Sequence, residues 1–178
     1  MAVREIAMKA RTLLVFHSRT GYTRTIASKI AAACDCDVEE LHDEVGRGGP
    51  IGWVRSAFEA VSRFDTLLRP TRFDPADYDL VIVGTPVWFW SLSSPVRTWL
   101  RRHHAALGKA AFFCTCGSSG DRRALAEFEA LCGPAAASLA FTDGEIDRAD
   151  PAAKVAGFVR QLGIGKTSGR SARKTARR

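Results

Sequence analysis

Hydrophobic positions come along this chain in short continuous runs, separated by longer stretches where they recur at helical spacing. Thr12 to His17 is the first run, apolar and partly β-branched, and bounded by a polar turn it reads as a buried strand. A helix is expected over residues 21 to 33, then a weaker outer strand from Cys36 to Leu41 with Val38 and Leu41 among acids. After a break at residues 46 to 50, Ile51, Val54, Phe58 and Val61 mark the stripe of an amphipathic helix. Residues 69 to 77, with two prolines, read as a loop. Asp79 to Gly84 is the clearest strand, and its unbroken hydrophobicity suits a parallel strand covered on both faces. The alternation continues: a helix over 94–106 with Pro95 in its first turn, a strand at 110–115, a helix at 121–132 and a strand at 137–141. Asp150 is placed to cap a last helix running to Leu162. Five strands alternating with helices predict a doubly wound parallel sheet, an α/β fold with no internal repeat.

Composition sharpens this only in places. At 178 residues, 46% hydrophobic and 25% charged, the chain has the size and balance of one globular domain. No apolar run nears the ~20 residues that span a bilayer. Residues 1 to 11 lack the pattern of a secretory signal, so the expected location is cytoplasmic. The net charge of +7 is local: six positives lie between Lys166 and Arg178, a stretch without acids, which leaves residues 1–165 at +1. The division expected is a lead at 1–11, a domain at 12–163 and a basic tail at 164–178. The tail reads as a disordered, solubilising end, with contact to anionic surfaces as the alternative and no specific nucleic-acid binding expected. The five cysteines (Cys34, Cys36, Cys114, Cys116, Cys132) are an odd count without zinc-knuckle spacing, and reduced structural thiols are expected, with no metal.

In a doubly wound sheet the ligand binds beyond the carboxyl ends of the strands, where strand order reverses. That draws attention to three loops. The first is Ser18-Arg19-Thr20-Gly21-Tyr22-Thr23, between a strand and a helix. Its hydroxyls and the unpaired N–H groups of a helix start can surround a phosphate, and Gly21 allows close approach. An ordinary N-cap is the plainer reading of composition alone, and Arg19 and Arg24 are as readily solvated side chains as anion ligands. The pattern Ser-x-Thr-Gly-x-Thr resembles the FMN-phosphate loop of the flavodoxin family. The second loop carries Thr85-Pro86-Val87-Trp88-Phe89-Trp90 and, further on, Pro95; it resembles the segment after the third strand in flavodoxin-like oxidoreductases. Its three aromatics can cover an isoalloxazine ring or simply pack beneath the loop. The third, Thr115-Cys116-Gly117-Ser118-Ser119-Gly120, is similar to the small-residue loop at the flavin's other edge. No redox role falls to Cys116.

The resemblance covers residues 12 to 162. It implies a three-layer sheet of strand order 2-1-3-4-5 in the short-chain form, since no long insertion divides the last strand, and FMN as cofactor. A flavin carries its own redox chemistry, so no catalytic triad is expected. The readings open are an oxidoreductase passing electrons from NAD(P)H to a quinone or other small acceptor, an electron carrier docking to a redox partner protein, and a non-catalytic FMN-binding scaffold. Carriers are typically acidic, which this domain is not, so the oxidoreductase is preferred. Trp53, Phe58, Phe64 and Phe73 are ordinarily packing residues, with an acceptor pocket or a homodimer surface as alternatives. Other motifs fail on context. Gly165-Lys166-Thr167 lacks the upstream glycine of a phosphate loop, because Arg160 stands there. Adjacent His103 and His104 do not face one another on a helix. Neither a nucleophile elbow nor a nicotinamide-type glycine fingerprint occurs.

Overall fold

The computed structural model describes residues 11–43 and 66–165. The predicted helix at Ile51 to Val61, with Trp53, Phe58 and Phe64, and the basic tail from Lys166 lie outside the described residues. Within them the strands are β1 (Thr12–Phe16), β2 (Asp37–Glu40), β3 (Leu80–Trp88), β4 (Ser91–Leu92), β5 (Lys109–Cys116) and β6 (Ser138–Thr142). The helices are α1 (Tyr22–Ala33), α2 (Ser94–His103), α3 (Asp121–Cys132), α4 (Asp143–Arg148) and α5 (Ala152–Leu162). Five strands run parallel in the order β2-β1-β3-β5-β6, and β4 folds back antiparallel on β3. This is the flavodoxin-like order the resemblance implies.

Side chains alternate across each strand, so one strand feeds two cores. Leu14, Phe16, Leu80, Ile82, Ala111, Phe113 and Phe141 face one way, against Ile26 and Ile30 of α1 and Val155, Phe158 and Val159 of α5. Leu13, Val15, Val81, Val83, Phe112 and Cys114 face the other way, against Val96, Trp99 and Leu100 of α2 and Ala124 and Phe128 of α3. Burying each of these large side chains is worth about 1.5–3 kcal/mol. Helices on both faces explain why β1 and β3 read as unbroken apolar runs. Edge strand β2 carries Asp37, Glu39 and Glu40 instead, charges that discourage pairing with another chain. Among the described residues no helix is long and apolar enough to cross a membrane.

Three boundaries differ from the sequence reading. β3 continues four residues past Gly84, to Trp88. Gly84 is not a turn: a Cβ there would overlap the ring of Phe113, so glycine is what lets β5 lie alongside. Helix α2 ends at His103, and residues 104–106 tighten into a single 3₁₀ turn. Finally, α4 lies between the last predicted strand and the last predicted helix, where the sequence pattern marks no element. Its start is a capping box in which Thr142 accepts from the Glu145 N–H and Glu145 from the Thr142 N–H. Lys154 and that N–H hold the Glu145 carboxyl down, to about 2. Asp150 accepts a hydrogen bond from the Ala152 N–H at 3.0 Å, one residue before the formal N-cap of α5.

Candidate functional site

The chain leaves β1 for β2 on one side, then returns to β3 and proceeds outward through β5 and β6 on the other. The reversal lies between β1 and β3. Register places the three loops together there: Phe16 pairs with Gly84, Thr85 with Cys114 and Pro86 with Thr115.

The first loop follows His17, whose Nδ1–H donates to the Leu41 carbonyl at 2.8 Å and whose ring meets the Trp88 edge at 5.5 Å. Gly21 adopts φ 101°, a left-handed conformation that favours glycine, and it begins α1 with no side-chain cap and no acid in the first turn. The positive end of the helix is thus left for another anion. Ser18 is buried and accepts the Arg24 N–H at 3.2 Å, keeping its own proton to donate. Arg24 itself pairs with Glu40, so its charge turns to the sheet edge. Arg19 and Thr20 are exposed, and the Arg19 guanidinium stands 6.0 Å from the Trp88 ring. Tyr22 turns the other way: its hydroxyl donates to Asp147 at 3.0 Å, and that bond raises its pKa. Thr23 is buried, 2.8 Å from the Thr115 hydroxyl of β5. One of these two oxygens donates to the other, which leaves one proton of the pair for a ligand.

The second loop is a hairpin. Val87 pairs with Leu92 and Trp88 with Ser91, leaving Phe89 and Trp90 as the turn, with φ of 49° and 58°. Positive φ at both central residues is the type I′ pattern, which favours Asn-Gly and strains bulky aromatics. Three contacts hold the strained turn. Thr85, wholly buried, accepts the Ser93 N–H at 3.1 Å and bonds its hydroxyl, so it clamps the hairpin base and presents no group outward. Trp90 leans on Gly120, where a Cβ would come within 3.1 Å of the Trp90 backbone. Glu127 of α3 accepts from Ser91 and from the Leu92 N–H, and it pairs with the Arg97 Nε at 2.6 Å. Burial would raise the Glu127 pKa, but these bonds outweigh it and hold the carboxyl below its ordinary value. Pro86, Val87 and Trp88 are half-buried, whereas Phe89 and Trp90 stand out at 45% and 54% exposure.

The third loop opens from buried Thr115 and Cys116, and Gly117, Ser118 and Ser119 are exposed. Gly120 ends it at φ 108° as the start of α3. Burial, then Asp121, raise the Cys116 pKa, so the sulfur is held as a thiol. Cys132 is likewise pushed up by burial, to about 11. Elsewhere, His103 stacks on Trp99 at 4.9 Å while His104 meets the Arg101 carbonyl, so the two histidines serve different partners. Phe73 packs edge-on against Tyr78 on the core.

Comparison with known proteins settles the family. The sequence model described as Flavodoxin matches residues 11–152. The chain belongs to the flavodoxin family. Among solved structures, the flavoprotein of Lactobacillus acidophilus NCFM in complex with FMN matches at TM-score 0.61 and 23% identity, over 78% of this chain and 97% of that one. A flavoprotein candidate from Bacteroides uniformis ATCC 8492 matches at TM-score 0.71 and 21% identity, over 86% and 99%. One from Bacteroides eggerthii DSM 20697 gives 0.71 and 17%, over 87% and 99%. At these identities the structures share the flavodoxin fold. In this flavodoxin-family chain the sequence reading passed over His17, Arg97 and Glu127. The first is the last residue before the loop, and the others lie on helices whose apolar stripes are the stronger signal.

Proposed function

We propose that this protein binds FMN at the β1–β3 reversal and acts as an oxidoreductase, passing electrons from NAD(P)H to a quinone or other small acceptor. The observation that carries the reading is the convergence of the three loops on one crevice. The donor set there suits the cofactor: an uncapped helix start with Gly21, Ser18, Thr20 and the Thr23–Thr115 pair for the phosphate. Trp88 offers a flat apolar face beside the ring position, and the exposed Gly117–Ser119 backbone offers hydrogen bonds to the ring's polar edge. Bound there, FMN supplies hydride and electron transfer. The chain's own residues hold it, shield it from solvent on one side and leave the other open to a partner. A small-molecule acceptor is favoured over a docked protein because residues 1–165 carry a net charge of +1, not the strong negative charge of a carrier.

The test is a visible spectrum of the protein after FMN is added and excess removed, followed by turnover with NADH or NADPH and a quinone. A flavin spectrum with turnover supports the whole reading. A flavin spectrum without turnover leaves the electron carrier or the scaffold, and a colourless protein removes the cofactor claim itself.

A further inference from the structure

Two sulfurs meet where α1 hands over to β2. Cys34 caps the helix, its N–H donating to the Ile30 carbonyl at 3.0 Å. Its backbone is extended there, with φ −125° and ψ 169°. Side chains alternate along extended chain, so Cys36 returns to the side of Cys34. The two Sγ atoms stand 3.4 Å apart, and both cysteines are free thiols. A disulfide needs about 2.05 Å, so closure asks the sulfurs to approach by roughly 1.4 Å.

The second Cys-x-Cys sequence shows what sets this pair apart. Cys114 and Cys116 lie within β5, where regular strand geometry holds residues two apart at roughly 6.6 Å, and both are buried. Cys34 and Cys36 stand outside any regular strand, at a junction that lets their side chains converge. Their exposures also differ: Cys36 is half-buried, whereas Cys34 is sealed at 1%. One sulfur is open to a reagent, and the other is within reach of the first alone. The hydrogen bond with Cys34, partial burial and the carboxylates of Asp35 and Asp37 push the Cys36 thiol up. Exchange at this site is therefore slow at neutral pH and quickens as pH rises.

We propose that Cys34 and Cys36 form a reversible dithiol–disulfide site that exchanges with small-molecule disulfides. The Cys36 thiolate attacks one sulfur of the small disulfide, whose S–S bond breaks, and the departing thiolate takes up the proton that Cys36 released. The Cys34 thiolate then attacks the Cys36 sulfur of the mixed disulfide. The second small thiol leaves with the Cys34 proton, and the Cys34–Cys36 bond is closed. Two protein thiols are oxidised, and one small disulfide is reduced to two thiols. Cys34 needs no path to solvent, because its neighbour brings the reaction to it. Once closed, the bond fastens the end of α1 to the start of β2, beside Gly165, whose backbone pairs with Cys34. The site lies at the opposite end of α1 from Gly21, roughly 18 Å away by helix rise, and does not depend on the flavin reading.

The experiment incubates the native full chain with excess oxidised glutathione at about pH 8.5, where an ordinary thiol is half ionised. The reaction is quenched in acid, and free thiols are counted by maleimide labelling in denaturant and intact mass. Loss of two of the five labels is expected, with Cys34 and Cys36 joined in one peptide that is lighter by two hydrogens. Dithiothreitol should restore both labels. Cys34→Ser should arrest at a glutathione adduct on Cys36, and Cys36→Ser should lose no label, because Cys34 is shielded. Retention of all five labels, a lasting glutathione adduct on the native sequence, or a disulfide mapped to Cys114, Cys116 or Cys132 would each overturn the proposal. These three readings come from the native chain, so they hold whether or not the serine variants fold.

Discussion

At the scale of single residues, the pair with most at stake is Glu127 and Arg97. Arg97 is almost wholly buried, so removing its carboxylate leaves a charge where water does not reach. Glu127→Gln should therefore cost about 3 kcal/mol at neutral pH, the low end for a broken buried pair, because Glu127 still reaches solvent. The pH dependence has a definite sign. A carboxyl held below its ordinary value in the folded state contributes stability above its unfolded pKa, about 4.3, and loses it as pH falls through the folded value. Urea unfolding from pH 6 to pH 3 should show the native chain losing stability more steeply below about pH 4 than the Gln variant. Parallel curves would sink the assignment. Little of this pair was legible in the sequence: Arg97 and Glu127 lie thirty positions apart and meet only because α2 and α3 pack on one face of the sheet. The same holds for Thr85 with Ser93 and for Thr23 with Thr115. The sequence marks these hydroxyls as available, and tertiary contact decides which ones are already engaged.

At the scale of elements, the strands and helices beside the loops were readable because parallel strands covered on both faces leave unbroken apolar runs. Helix α3 begins and ends where its pattern does, at 121 and 132. The failures lie where a local signal carries two meanings. Gly84-Thr85-Pro86 looks like punctuation, yet Gly84 is the notch that admits Phe113 and Pro86 simply continues the strand opposite Thr115. Helix α4 had a signal that went unread, Thr142 followed three residues later by Glu145. The hairpin could not be foreseen at all, since Phe-Trp is a poor sequence for a turn with two positive φ angles. That mismatch makes a prediction. Replacing Phe89-Trp90 with Asn-Gly should raise unfolding stability by about 1–2 kcal/mol in denaturant titration. A fall in stability would mean that the aromatic rings contribute more in packing than their conformation costs.

For the whole molecule, the crevice draws on β1, β3 and β5, the three central strands, so a ligand there is tied to the sheet and not to a mobile edge. FMN at about a hundred times its dissociation constant should add about 2.7 kcal/mol to stability. In a chain of 178 residues this corresponds to a rise in Tm of roughly 5–10 °C, in one calorimetric transition. A transition that splits on adding FMN would show the loops unfolding apart from the sheet. The placement of the tryptophans also gives the protein an optical division of labour. Trp99 is sealed in the core at 2% exposure and Trp90 stands in solvent at 54%, with Trp88 between them beside His17. Their emission should separate by colour, blue from the interior and red from the hairpin. Among the described tryptophans, emission collected at the red edge of the band then weights the turn over the core, without any label being attached.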